Sequence, residues 1–153
     1  MLVSTLLVIA TFFFMEGVAW FTHKYVMHGF LWVLHKDHHD KSSLPSWWEK
    51  NDAFFVIFAI PSMLLILSGS LYGVPYVFPI GLGILLYGIC YFIVHDIFIH
   101  QRFKLLRNAN SVYARAIRKG HKMHHKHIGK EDGECFGMLW VPLKYFKGEL
   151  KKK

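Results

Sequence analysis

The sequence predicts an all-α integral membrane protein with about three transmembrane helices, or one plus a membrane hairpin, and a histidine-rich cap for two metal ions on one side. Three observations predict it. Hydrophobic residues fill 54% of the 153 positions although the net charge is +8. The charge is segregated: all 18 lysines and arginines lie within residues 24–50 and 102–153, and Ala53 to Val94 carries no charge of either sign. Finally, ten of the eleven histidines fall into four boxes that repeat in the same order in each half of the chain.

Leu2 to Thr22 is an apolar run of 21 residues, long enough to cross a bilayer. It has no basic leader, no small-residue cleavage site and no Arg/Ser enrichment, so it reads as a retained anchor rather than a signal or transit peptide. Its one ionisable residue is Glu16, seven positions before His23. On a helix that spacing leaves the two within ~20° of one stripe and roughly 10 Å apart. An intramembrane carboxylate suggests function, and two roles are open to Glu16. It either backs a ligating histidine through a relay and balances metal charge, or is a protonated side chain packed on a neighbouring helix.

The first two boxes, HKYVMH (His23–His28) and HKDHH (His35–His39), put five histidines into seventeen residues. Positions i, i+3 and i+4 share a helix face, so His35, His38 and His39 form one claw, as do His121, His124 and His125. The histidines of the wider boxes are five apart, ~140° around an ideal helix, and converge only if the helix ends or turns nearby or the metals sit between them. In the polar connector that follows, Leu44-Pro45-Ser46 reads as a turn. Trp47 and Trp48 read as an aromatic pair that anchors at the membrane surface or lines a substrate entrance.

Ala53 to Val94 is expected to form a helical hairpin with spans of about 53–72 and 76–94, turning in the Gly- and Pro-containing stretch Gly69 to Pro79. Arms of about 18 residues are near the minimum for a span, which leaves a re-entrant hairpin as the alternative. Pro61 is a kink candidate, and Gly81, Gly83 and Gly88 allow close helix approach. HDIFIH (His95–His100) and HKMHH (His121–His125) then repeat the first two boxes. Asp96 is placed to accept the free ring N–H of a ligating histidine, with a simple helix-end charge as the alternative. Lys24 holds the equivalent place in the first box, so the halves differ chemically. His127 lies outside the repeat and reads as solvated.

Lysine and arginine bias puts both basic regions, 23–52 and 95–153, on the cytoplasmic side, with all four boxes in one layer at the membrane surface. That bias and attraction to anionic headgroups explain the positive charge without nucleic acid, which is not an expected partner. Cys90 and Cys135 supply no disulfide framework. By length the chain is one domain spanning 1–153. Neutral imidazole suits iron, zinc, copper and nickel. Ten imidazoles exceed the needs of one four-coordinate structural zinc, but suit two ions with several ligands each.

HKYVMHGFLWVLHKDHH, Asn51-Asp52, LYGICYFIVHDIFIHQR (Leu86 to Arg102), HKMHH and the downstream GKEDGECFG together resemble the bacterial-type β-carotene 3-hydroxylases of the membrane fatty-acid-hydroxylase superfamily. The likeness covers nearly the whole chain. The bare boxes are shared by hydroxylases, desaturases and ketolases, and the HKYVMHG and VHDIFIHQR contexts carry the narrower resemblance. It implies a non-haem di-iron monooxygenase of the bacterial inner membrane that uses O2 to hydroxylate carbon 3 of each β-ionone ring. β-Carotene would become β-cryptoxanthin and then zeaxanthin, with electrons from ferredoxin and ferredoxin reductase. The implied iron ligands are His23, His28, His35, His38, His39, His95, His100, His121, His124 and His125; zinc can substitute in purified samples.

An unactivated ring C–H calls for a redox metal, and a substrate with no polar handle must enter from lipid and bind by apolar burial. Trp20, Phe21, Met27, Phe92 and Phe98 flank the boxes as candidate substrate contacts, helix packing being the competing role. The rival readings are a carotenoid ketolase, a fatty-acid or sterol hydroxylase or desaturase, a membrane metal-binding or transport protein, and a structural zinc protein.

Overall fold

A computed structural model describes residues 1–40 and 48–150, and the chain is helical, with no strand among them. Helix α1 (Leu2–Phe21) runs into a π-helical segment, Thr22–Phe30, followed by α2 (Trp32–His39). A short 3-10 turn, Lys50–Asp52, leads into α3 (Ala53–Tyr72). Helix α4 (Val77–Phe92) runs into a second π-helical segment, Ile93–Ile99, and α5 (Val112–His124) and α6 (Leu143–Leu150) complete the cap.

Three continuous helical rods, Leu2–Phe30, Lys50–Tyr72 and Val77–Ile99, are long and apolar enough to cross a membrane. Their exposure pattern fits lipid. Leu6, Ile9, Phe13 and Phe14 on α1, Ile57, Ile60 and Leu64 on α3, and Leu86 and Ile89 on α4 all point outward. Apolar surface on that scale is foreign to a water-soluble monomer. The α3–α4 turn is tight because Gly73 (φ +64°) and Tyr76 (φ +63°) adopt left-handed backbone. Pro61 lies within α3, which continues through it.

Helix α4 packs against both α3 and α1, and its glycines make this possible. A Cβ at Gly81 would lie 2.8 Å from the Ser62 carbonyl oxygen, and one at Gly83 would lie 2.7 Å from Thr11 Cβ. Ser62 Oγ also donates to the Gly81 carbonyl at 2.8 Å. Gly88 differs, for a Cβ there would meet nothing within 4 Å. Helices α1 and α3 make at most marginal contact, so a groove remains between them.

The first and third rods bring their box-bearing ends together with the Lys50 end of the second, opposite the α3–α4 turn. Over that end, α5 is capped by Ser111 Oγ, which accepts from the Ala114 amide at 3.1 Å. Helix α5 then packs on α6 through a small core of Phe98, Ala116, Ile117, Val141 and Tyr145. The expected turn at Leu44-Pro45-Ser46 and Trp47 lie outside the described residues; Trp48 is exposed.

Candidate metal centre

The two His-x4-His boxes, whose histidines stand five apart, fall on the two π-helical segments, with His100 capping the second, which settles the ~140° problem posed by ideal α-helical geometry. A π-helix closes i→i+5 hydrogen bonds, so residues five apart stand one above the other. The His100 amide donates to the His95 carbonyl at 2.9 Å, which is such a bond. Ring centroids of His23 and His28 are 5.2 Å apart, and those of His95 and His100 are 4.5 Å apart. Gly29 leaves helical backbone (φ −104°, ψ −121°) and ends the first segment, turning the chain into α2.

Among the described residues, nine histidines form two groups able to hold a metal ion: His23, His28, His35, His39 and His124, and His38, His95, His100 and His121. His125 adjoins the second group, its Nε2 2.9 Å from His121 Nε2. Each claw is therefore shared. The i, i+4 pair His35/His39 joins the π-pair of its own half, while His38 between them crosses to the other group. In the second half His121 and His125 stay, and His124 crosses. All ten expected ligands thus meet in one place.

The ring nitrogens show what these groups are for. His23 Nδ1 is 3.0 Å from the Phe136 carbonyl, and His28 Nδ1 is 2.9 Å from that of Lys130. His35 Nδ1 lies 2.7 Å from Asn51 Oδ1, His39 Nδ1 3.0 Å from the His127 carbonyl and His124 Nδ1 2.9 Å from that of Glu134. His38 Nδ1 meets Glu49 Oε2 at 2.8 Å, and His95 Nδ1 meets Asp96 Oδ2 at 3.0 Å. Those oxygens accept, so the seven Nδ1 atoms carry the proton, and in a neutral ring Nε2 is then a bare lone pair. Yet Nε2 faces Nε2 at 3.1 Å in His23/His35, 3.2 Å in His28/His124, 3.2 Å in His35/His39 and 3.0 Å in His38/His95. Two lone pairs cannot hydrogen-bond each other. A shared cation resolves the conflict: two nitrogens ~2.1 Å from one ion and at right angles to each other stand about 3.0 Å apart.

Electrostatics favours the same state. Burial, reinforced by neighbouring imidazoles, holds His38 and His121 well below the usual imidazole range. The same causes lower His39 to about 4 and His124 to about 3. These rings stay neutral at physiological pH, the form that binds metal.

Asp96 sits on a ring N–H of its own box, as its spacing suggests, and it is also held by Arg102 Nη1 at 2.8 Å. Arg102 in turn pairs with Asp52 at 2.7 and 2.9 Å, and Asp52 Oδ2 accepts from the Glu49 amide at 3.0 Å. Glu49, Asn51, Asp52 and Arg102 are site residues that spacing rules missed. Asn51, Asp52 and Arg102 lay inside the stretches carrying the resemblance, but nothing local assigned them a task. Glu16 hydrogen-bonds to the Tyr87 hydroxyl and to main-chain amides rather than to a histidine. Its Oε1 accepts from the Met138, Leu139 and Trp140 amides at 2.9, 2.9 and 2.8 Å, and its Oε2 accepts from the Tyr87 hydroxyl at 2.7 Å. It staples to α1 the loop whose Phe136 carbonyl orients His23. His127 contributes its main-chain oxygen to His39.

An apolar cavity of about 310 Å³ lies between α1, α3 and α4, lined by Met15, Met27, Phe54, Phe58, Gly88 and Phe92 among others. Of the candidate substrate contacts, Met27 and Phe92 line it. Trp20 and Phe21 instead point outward beside Tyr25, and Phe98 lies in the cap core beneath the Arg118 guanidinium. A second cleft, of about 450 Å³, is lined by His38, His39, His100, His121 and His125 with Arg118 and Lys122.

Residues 8–145 match the fatty acid hydroxylase family. The chain belongs to this family. Within it, the chain is 39% identical over 141 residues to the β-carotene hydroxylase of Pseudescherichia vulneris, covering 92% of this chain and 78% of that one. It is 36% identical over 149 residues to that of Paracoccus sp. (strain PC1), covering 96% and 90%. The chloroplastic β-carotene 3-hydroxylase of Haematococcus lacustris is 38% identical over 146 residues, covering 91% of this chain and 44% of that protein. No solved structure matches significantly.

Proposed function

We propose that this chain, working as one membrane unit over residues 1–153, is a β-carotene 3-hydroxylase. It oxidises carbon 3 of each β-ionone ring in turn, from β-carotene through β-cryptoxanthin to zeaxanthin. The observation that carries this reading is the set of Nε2 lone pairs facing one another across 3.0–3.2 Å in a buried cluster. The names of the relatives supply the substrate class. His23, His28, His35, His39 and His124 would hold one iron ion, and His38, His95, His100, His121 and His125 the other. When bound, the iron pair supplies the redox chemistry with dioxygen that an unactivated C–H requires.

The chain's own residues do the rest. The carbonyls of Phe136, Lys130, His127 and Glu134, the Asn51 amide oxygen and the Glu49 and Asp96 carboxylates keep Nδ1 protonated and Nε2 aimed inward in seven of the ten rings. The apolar walls of α1, α3 and α4 exclude water and bind hydrocarbon at ~25 cal/mol per Å² buried. Arg118 and Lys122 at the second cleft give an acidic ferredoxin a positive surface on which to approach. The positive-inside bias supports a bacterial inner membrane protein with this face in the cytoplasm.

Expression in β-carotene-producing cells tests the reading. Zeaxanthin is expected with the wild-type chain and is expected to vanish with His38→Ala. A ketone, or an unmodified carotenoid beside an altered fatty acid, would overturn it.

A further inference from the structure

We infer that the groove between α1 and α3 is the seat of one cyclic end group of the carotenoid, opening sideways to lipid, and that Gly88 sets its bore. The inference rests on the function proposed above and adds a binding site to it. Four observations converge. The groove exists because α4 packs on both other spans while α1 and α3 barely touch, so its mouth faces the bilayer. Its walls are hydrocarbon and aromatic: Met15 from α1, Phe54, Phe55 and Phe58 from α3, Ile84 and Phe92 from α4.

Its inner end stops at residues that touch the histidines. Asn51, which lines it, accepts the His35 ring N–H, and Tyr91, which also lines it, has its ring 5.0 Å from that of His95. Met27, between His23 and His28, closes the same end. Finally, about 310 Å³ is at the small end of ligand pockets, which run from ~300 to 1,000 Å³. That admits a methylated cyclohexene ring and the first part of its chain, but not a whole carotenoid. The remainder of the polyene must lie outside, along the spans in lipid.

Gly88 stands apart from the packing glycines of α4. Gly81 and Gly83 have no room for a side chain because a helix backbone occupies the space, whereas Gly88 lines the groove and has nothing within 4 Å of its missing Cβ. A side chain there would fill the groove without displacing a helix.

Wild type, Gly88→Leu and Gly17→Leu are to be purified from β-carotene-producing cells, and metal per chain, co-purified carotenoid and hydroxylated product measured. Gly17 is likewise free of neighbours within 4 Å but lies outside the groove. Gly88→Leu is expected to keep the wild-type metal content and lose both retained carotenoid and product roughly ten-fold or more, while Gly17→Leu keeps all three. Wild-type product from metal-replete Gly88→Leu would overturn the inference. So would a wild-type groove that retains phospholipid acyl chains instead of carotenoid. Should Gly88→Leu fail to fold, Ala59→Phe fills the groove from the α3 wall and is held to the same outcomes. If the wild-type chain makes no hydroxylated carotenoid, the proposed function fails, and retention of carotenoid by wild type against Gly88→Leu still decides the groove.

Discussion

Asp96 and Glu49 each accept a hydrogen bond from the Nδ1–H of a histidine in the second group, whereas the five Nδ1 partners in the first group are neutral carbonyl oxygens. A carboxylate acceptor makes its imidazole the stronger donor through Nε2. Asp96→Asn and Glu49→Gln keep the shape and remove that charge. Each is expected to weaken metal retention ~10- to 100-fold, read as metal per chain after dialysis against graded chelator. Retention equal to wild type in both would show that the carboxylates only orient the rings. The histidines also bear on stability. His39 and His124 ionise near 6.5 when unfolded but at about 4 and about 3 when folded. Above 6.5 neither state carries the proton. As pH falls below 6.5 the unfolded chain binds protons that the folded chain refuses, so stability declines until the folded values are reached. The apparent Tm of metal-free protein in detergent should be level from pH 8 to 7 and fall between about 6.5 and 4; a level Tm through that window would contradict the buried, neutral assignment.

At the scale of elements, the π-helical segments and the α4 glycines decide where the site can be. Five-residue histidine spacing is unhelpful on an α-helix and correct on a π-helix, but apolar periodicity does not report the change because both segments sit at the end of a continuous rod. The glycines are legible as close-approach positions, though not which helix each one meets. Gly83 lies against α1, where a Cβ would be 2.8 Å from the Val8 carbonyl oxygen, a backbone atom that cannot swing away. Gly83→Val should therefore push α1 from α4, costing at least ~1–3 kcal/mol, and carry His23 and His28 out of register. Its expected signature is loss of a monodisperse peak together with loss of metal. A metal-replete, monodisperse Gly83→Val would mean that the α1–α4 contact tolerates a wider spacing.

At the scale of the whole molecule, the charges and the apolar surface divide the chain into a lipid-facing half and a basic cap. Arg118 and Lys122 beside the second cleft put part of that positive charge next to the histidines. Association with the proposed donor, an acidic ferredoxin, would then be steered by long-range attraction that salt screens, with a Debye length of ~10 Å at 0.1 M. Ferredoxin-dependent turnover should slow as ionic strength rises, while turnover driven by a small neutral reductant should not. A flat response with ferredoxin would remove this cleft from consideration as the docking face.

The sequence alone determined the fold class, the three apolar rods and the ten histidines, because hydrophobic run length and box spacing are local properties of the chain. It also placed Asp96 next to His95, for neighbours in sequence stay neighbours in space. Only the tertiary structure decided that His38 and His124 change sides, and that main-chain carbonyls of residues 127–136 orient four of the rings. It alone joined Glu16 to a loop more than a hundred residues away. Those partners are joined by hydrogen bonds between distant segments, and no periodicity along the chain records the direction in which a side chain points once helices from different regions have packed.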